Sequence, residues 1–306
     1  MGLFHCPMGA PFYDDEACID CGLCSATTKE EMVAASRKIR AYLKSHAEKR
    51  GAINKIAVTG KGGTGKSTVV TLMANALKKG GYSVLVLDAD ESNPGLPRML
   101  GFDREPKPLM VLLTRFSSGE PEPDTEWLSR EQISSQDIPS EYILDGDGLR
   151  FMMVGKIADP FQGCACSMAG ITRDLVAKLV VRDKELLLVD MEAGIESFGR
   201  GVERSADTVL IVVEPSFESL ALAGKIAYLA EGMGISRVRA VLNKVPSEKV
   251  RQRMMEELNK KSITPVGTIY LDRRLSEAGF EGTAPGDSKA TAAAEAIADQ
   301  LLRESR

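Results

Sequence analysis

From Gly51 onward, apolar residues fall into two alternating rhythms, short continuous runs and longer stretches at helical spacing. The runs are KIAVTG, SVLVLDAD, LRFMMVG, ELLLVD, TVLIVVE, VRAVLNK and PVGTI. Most are apolar on consecutive positions, as strands buried on both faces must be. Stretches such as Ser67 to Lys79 and Ser216 to Glu231 lie between them and read as helices. The alternation predicts an α/β fold, a doubly wound, mainly parallel sheet of seven strands. Residues 103–148, rich in proline and acidic side chains, break the rhythm and are expected to form a surface insertion. Towards the end, Ala294, Ile297, Ala298 and Leu301 share one side of a segment running from Ala290 to Arg306. Glu295, Asp299 and Glu304 make that segment acidic, so it reads as a packing helix and not a membrane-targeting one.

Ahead of Gly51 the pattern differs. Met32, Ala35, Ile39, Tyr42, Leu43 and Ala47 recur at helical spacing among Arg37, Lys38, Arg40, Lys44 and Lys49. This predicts an amphipathic connecting helix whose basic face is solvated. Residues 1–28 are rich in Gly, Pro and Cys and too short to hold a hydrophobic core without a staple. The expected division is therefore a cysteine module over 1–28, a linker helix over 29–52 and one large domain over 53–306.

Composition narrows the function classes. Of the 306 residues, 43% are hydrophobic and 27% charged, and none of the apolar runs is long enough to span a bilayer. A net charge of -4 argues against a polybasic surface, so neither nucleic acid nor membrane is an expected partner. The start, MGLFHCPMGAPFYDDEACIDC, has no basic region followed by an apolar core, which points to a cytoplasmic location. The MGxxxC opening also lacks the Ser or Thr of a myristoylation site. All six cysteines fall in two groups, Cys6, Cys18, Cys21 and Cys24 at the front and Cys164 with Cys166 in the middle. In a reducing compartment, the CxxCxxC spacing favours metal ligation over disulfides.

The most specific chemistry sits after the first run. Gly60-Lys61-Gly62-Gly63-Thr64-Gly65-Lys66-Ser67 follows a strand and opens a helix, the context that makes GxxxxGK[ST] a phosphate-binding Walker A loop. Glycines let successive amides turn onto the phosphates, Lys66 neutralises them and Ser67 reaches Mg²⁺. Thr68, the next residue, is counted with the nucleotide site. Gly60, Gly62 and Gly65 also satisfy GxGxxG, with Asp88 where a ribose-binding acid could stand. A dinucleotide fold, however, accounts neither for the Lys-Ser pair nor for Asp88 and Asp90 together. Asp90 is suited to orient or deprotonate an attacking water, Asp88 to support the Mg²⁺ shell, and Asp190, ending LLLVD, to hold a metal-bound water. Asn243-Lys244-Val245-Pro246 is similar to the base-reading NKxD of GTPases without its guanine-pairing Asp, which favours adenine and hence ATP.

The loop GKGGTGKST with its extra Lys61, the DAD segment and VDMEAG together resemble the deviant Walker A group that includes MinD, ParA, the nitrogenase iron protein and metallocentre-maturation ATPases. The resemblance implies a homodimer in which Lys61 reaches the partner's phosphates and supplies transition-state charge in trans. Cys164-Ala165-Cys166 ahead of Val189 to Gly201 is similar, within that group, to the CooC-type ATPases, which serve nickel insertion into carbon monoxide dehydrogenase; related proteins serve acetyl-CoA synthase. The similarity spans roughly residues 53–290, with Glu91 standing where the family usually has Pro. The implied client is such a metalloenzyme. The two CxC motifs of a dimer would then hold Ni²⁺, Zn²⁺ or a bridging [4Fe-4S] cluster.

The front cysteines are not a standard part of that family. Cys18, Cys21 and Cys24, with Cys6 preceding Pro7, resemble the ligands of one bacterial-ferredoxin [4Fe-4S] cluster, and a four-thiolate zinc site is the alternative. Three other functions share the ATPase. Iron-sulfur scaffold ATPases of the Mrp type carry a CxxC after the second carboxylate strand, whereas this CxC precedes Asp190. Spatial positioning in the manner of MinD or ParA leaves the cysteines without purpose. Electron transfer like that of the nitrogenase iron protein would use cysteines on two separated loops, which the adjacent CxC does not match, but the front cluster keeps an ATP-dependent reductase open as an alternative.

Overall fold

The seven anticipated strands and one further strand form a single sheet in the computed structural model, which describes residues 25–45, 53–90, 95–113, 125–155, 165–235 and 237–304. The chain runs α1 (Lys29–Ser45), β1 (Lys55–Gly60), α2 (Lys66–Lys79), β2 (Ser83–Asp88), α3 (Leu96–Met99) and α4 (Glu126–Ser129). It continues through β3 (Leu144–Gly146), β4 (Leu149–Met153), α5 (Ala165–Lys178), β5 (Glu185–Asp190), α6 (Glu196–Arg200) and β6 (Thr208–Val213). It closes with α7 (Phe217–Gly232), β7 (Arg237–Val245), α8 (Glu248–Asn259), β8 (Thr264–Tyr270), α9 (Arg273–Glu281) and α10 (Lys289–Arg303).

The strand order is β3-β4-β2-β5-β1-β6-β7-β8, parallel except for the β3-β4 pair. Each central strand feeds two cores because its side chains alternate between faces. On β5, Leu187 and Val189 join α5, α7 and α8 on one face through Leu175, Ile226 and Leu258. Leu186 and Leu188 join α2 and α10 on the other through Leu72, Met73, Ile297 and Leu301. After β1 the chain builds one half of the sheet, returns through β5, and builds the other half with β6 to β8. That reversal leaves a crevice at the carboxyl end of β1, where open α/β sheets bind ligands.

Two expectations change. The sheet has eight strands and not seven, because Leu144–Gly146 turns back antiparallel on β4 through Asp147 and Gly148, both at positive φ. Three residues are too few for a period of two to show. Residues 103–148 are also no mere surface insertion. Leu109, Met110, Trp127, Ile133, Ile138 and Tyr142 are buried in the core beside α5. The amide of Met110 donates to the carbonyl of Val154 at 2.7 Å, and a Cβ on neighbouring Gly155 would meet Met110 Sδ at 2.4 Å.

The linker helix ends as α1 at Ser45, and residues 46–52 lie outside the described residues. It packs on α7 with Ala35 buried, while Met32 and Val33 are exposed. Among the described residues no helix is long and apolar enough to cross a membrane.

Candidate nucleotide site

The loop between β1 and α2 owes its shape to two glycines. Gly60 has φ 152°, and a Cβ there would stand 2.5 Å from the carbonyl oxygen of Val212 on β6. Gly65, the N-cap of α2, has φ 88°, and a Cβ would stand 2.6 Å from Asn243 Nδ2. Between them the amide and Oγ1 of Thr64 both donate to the carbonyl of Lys61, at 3.3 and 2.9 Å, which closes the turn. Gly62 and Gly63 are exposed at its tip, and Thr68 is half-buried in the first turn of α2. Helix α2 has no side-chain cap, so its first amides and the positive end of its dipole are directed into the loop.

Asn243 and Lys244, read from sequence as nucleotide contacts, spend their side chains on this loop. Asn243 Nδ2 donates to the carbonyl of Thr64 at 2.7 Å, and Lys244 Nζ donates to that of Gly63. They brace the cradle from the end of β7.

Three acids converge beside the braced loop. Asp88 and Asp190 are register partners on the adjacent strands β2 and β5, and both are buried. The amide of Asp90 donates to Asp88 Oδ1 at 3.0 Å, which turns the chain past β2 and brings Asp90 Oδ2 to 3.8 Å from Lys66 Nζ. Ser67 Oγ donates to Asp190 Oδ2 at 2.6 Å. Burial, and secondarily the charge of Asp88, push the Asp190 carboxyl up to about 7. Asp190 Oδ1 is buried without a hydrogen-bond partner. An orphaned carboxylate oxygen beside a serine hydroxyl is a hard-oxygen donor set, and it fits Mg²⁺. Ser67 and Asp190 would hold such an ion, whose charge would keep Asp190 ionised.

Beyond Asp190 the chain is tied to the loop. The amide of Met191 donates to Val58 at 3.0 Å, and that of Gly194 donates to Gly60, also at 3.0 Å. Glu192 pairs with Arg200 at 2.9 Å, and the Arg200 carbonyl accepts from Arg173 on α5 at 3.2 Å. Buried Glu203 accepts from Ser197 Oγ, and desolvation raises its carboxyl to about 7. Glu214, absent from the sequence-based site, lies at the end of β6 with its carboxylate 3.3 Å from Lys61 Nζ. Its position at the close of an apolar strand, the same one that marks Asp190, was the available sign.

Cys6, Cys18, Cys21, Cys24 and Cys164 lie outside the described residues, and Cys166 is placed only by its backbone, in the first turn of α5. Among the described residues no group of three or more His, Cys, Asp or Glu side chains is arranged to hold a metal.

Residues 55–285 match the CobQ/CobB/MinD/ParA nucleotide binding domain. An ATP-binding protein of Methanocaldococcus jannaschii is 36% identical over 237 residues, 74% of this chain and 92% of that one. The carbon monoxide dehydrogenase accessory protein CooC of Rhodospirillum rubrum is 33% identical over 249 residues, 79% of this chain and 87% of that one. In fold, the chain is similar to the MinC:MinD cell division protein complex of Aquifex aeolicus, with a TM-score of 0.60 at 22% identity, covering 82% of this chain and 96% of that one.

Proposed function

The chain belongs to the CobQ/CobB/MinD/ParA nucleotide-binding family and is a P-loop ATPase, and from that premise we propose that it is a metallocentre maturation factor, hydrolysing ATP in a homodimer to insert nickel into carbon monoxide dehydrogenase or acetyl-CoA synthase. The observation that carries the client class is the likeness to a carbon monoxide dehydrogenase accessory protein over 79% of the chain. The Cys164-Ala165-Cys166 motif ahead of the Asp190 strand supports it, because thiolates are the ligands for a soft cargo ion.

Within the site, Lys66 neutralises the β and γ phosphates and Asp90 orients the attacking water. Their 3.8 Å separation supports this reading, because a water-orienting carboxylate must work close to the lysine that meets the phosphates. Ser67, Asp88 and Asp190 hold Mg²⁺, which supplies charge against the phosphates. Gly60 to Thr68 form the cradle, and Asn243 and Lys244 keep it in shape. Lys61 acts on the partner's triphosphate. The front cysteines, Cys6, Cys18, Cys21 and Cys24, carry a [4Fe-4S] cluster, because four thiolates at this spacing are the donor set such a cluster takes.

Steady-state hydrolysis and sedimentation with ATP and Mg²⁺ test the ATPase assignments. Lys66→Ala and Asp90→Ala should lower turnover by about a hundredfold or more. Lys61→Ala should still bind nucleotide, fail to dimerise, and lose about 10³-fold or more in turnover. A Lys61→Ala protein that dimerises and hydrolyses normally removes the trans role.

A further inference from the structure

Glu214 has no task in the mechanism above, yet three strand ends meet at its carboxylate. Oε1 lies 3.3 Å from Lys61 Nζ on the loop after β1. Oε2 lies 3.6 Å from Lys244 Nζ at the end of β7, and the same ammonium donates to the carbonyl of Gly63. The two sides of the Lys61 pair differ in exposure. The Glu214 side chain is 19% exposed against 38% for Lys61. The Glu214 backbone is also built into the cap of α7. Its amide donates to Ser219 Oγ at 3.1 Å, the Ser219 amide donates to Ser216 Oγ at 3.2 Å, and the Ser216 amide donates back to the Glu214 carbonyl at 2.7 Å. A carboxylate on an anchored backbone therefore holds a more exposed lysine.

We propose that Glu214 is a positioning residue, a latch that retains Lys61 within its own protomer until the triphosphate of a second copy takes the lysine over. This rests on the proposal that Lys61 acts in trans. A lysine bound to its own Glu214 cannot also reach a partner, so the two contacts are alternatives. The exchange favours the dimer only when nucleotide is present, because a triphosphate carries several negative charges where the carboxylate carries one, already shared between two lysines. Lys244 makes the release inexpensive. It stays beside Glu214 after Lys61 leaves, so no half-buried carboxylate is stranded without a counter-charge. Protomers without ATP are thereby kept from engaging one another through Lys61.

The test uses the full-length protein in two measurements. The first is the rate of lysine acylation by a water-soluble amine reagent, read by mass spectrometry without nucleotide. Glu214→Gln keeps the shape of the side chain and removes its charge. Lys61 should then be labelled about fivefold faster, the order expected for losing a partly exposed ion pair, with exposed Lys249 unchanged. Raised salt should speed Lys61 labelling relative to Lys249 within the wild type itself, which keeps the test open should the variant fold poorly. The second is dimerisation by sedimentation velocity with Mg²⁺ and a non-hydrolysable ATP analogue. Glu214→Gln should dimerise at about fivefold lower protein concentration, and should change nothing in a Lys61→Ala background. Equal labelling of Lys61 in both proteins, or faster labelling without easier dimerisation, overturns the latch. Failure of the underlying trans role looks different: Lys61→Ala then dimerises normally, whereas failure of the latch alone leaves Lys61→Ala defective and Glu214→Gln like the wild type.

Discussion

Asp190 and Glu203 are two buried carboxyls raised to about 7 by the same cause, desolvation, but only one of them has a ligand in prospect. Asp190 stands beside Ser67 and the phosphate cradle, where a cation stabilises its ionised form. Glu203 has the Ser197 hydroxyl on one oxygen, and its Oε2 is buried without a hydrogen-bond partner. Its ordinary value is 4.5, so on raising the pH the unfolded chain releases this proton before the folded one does. Between about 4.5 and 7 the folded state binds more protons, and stability falls as pH rises. The loss amounts to on the order of 3 kcal/mol by pH 8. Glu203→Gln cannot ionise, so denaturant unfolding at pH 5 and pH 8 should show a shallower decline than in the wild type, whatever its absolute stability. An identical decline in both proteins would mean that the fold leaves the Glu203 carboxyl at its ordinary value.

At the scale of elements, the nucleotide site is a junction of loops held by contacts with little slack. Gly60 lies against the backbone of β6, which cannot give way, whereas the side chain of Asn243 facing Gly65 can. Gly63 has φ 81° with nothing within 4 Å of a Cβ. Three alanine substitutions should therefore rank by mechanism. Gly60→Ala adds a clash with a strand to its unfavourable φ and should cost about 3 kcal/mol and nucleotide binding. Gly65→Ala displaces the Asn243 brace and should come next, at about 2 kcal/mol. Gly63→Ala bears the left-handed conformation alone, at about 1 kcal/mol. Chemical denaturation with nucleotide titration checks the order, and a Gly63→Ala as damaging as Gly60→Ala would point to a contact made only in the bound state.

At the scale of the whole molecule, the proposed cargo site depends on symmetry. Two thiolates from one CxC motif are half of what Zn²⁺, square-planar Ni²⁺ or a [4Fe-4S] cluster takes, and a two-fold axis supplies the same motif twice. Helix α5, which starts at Ala165, packs against α6 and the turn Val202–Ser205 that follow the Asp190 strand. Cys166, in the first turn of α5, and the Asp190 strand thus share neighbouring elements. ATP and metal should each tighten the other's binding by one coupling free energy. Nickel titration beside size-exclusion chromatography should give one ion per dimer, tighter with ATP, and none in Cys164→Ser/Cys166→Ser. One ion per monomer, or unchanged binding in the double variant, removes the bridging site.

Local spacing alone was enough for much of this. Seven strands were legible because a strand covered on both faces needs consecutive apolar residues. The cradle from Gly60 to Ser67 was legible because its glycines and its Lys-Ser pair act within a single turn of chain. Asp88, Asp90 and Asp190 were legible as acids placed at or just past strand ends. Distance along the chain hid the rest. Nothing local states that Asp88 and Asp190 face each other across neighbouring strands, which strand order alone decides. Lys61 and Glu214 meet over a separation of 153 residues, and Asn243 reaches Thr64 over 179, so the brace and the proposed latch exist only once the sheet is assembled. The buried residues between Leu109 and Tyr142 carry no local sign for a related reason. They are scattered among prolines and acids without a period, and become core only where β4 and α5 provide something to pack against.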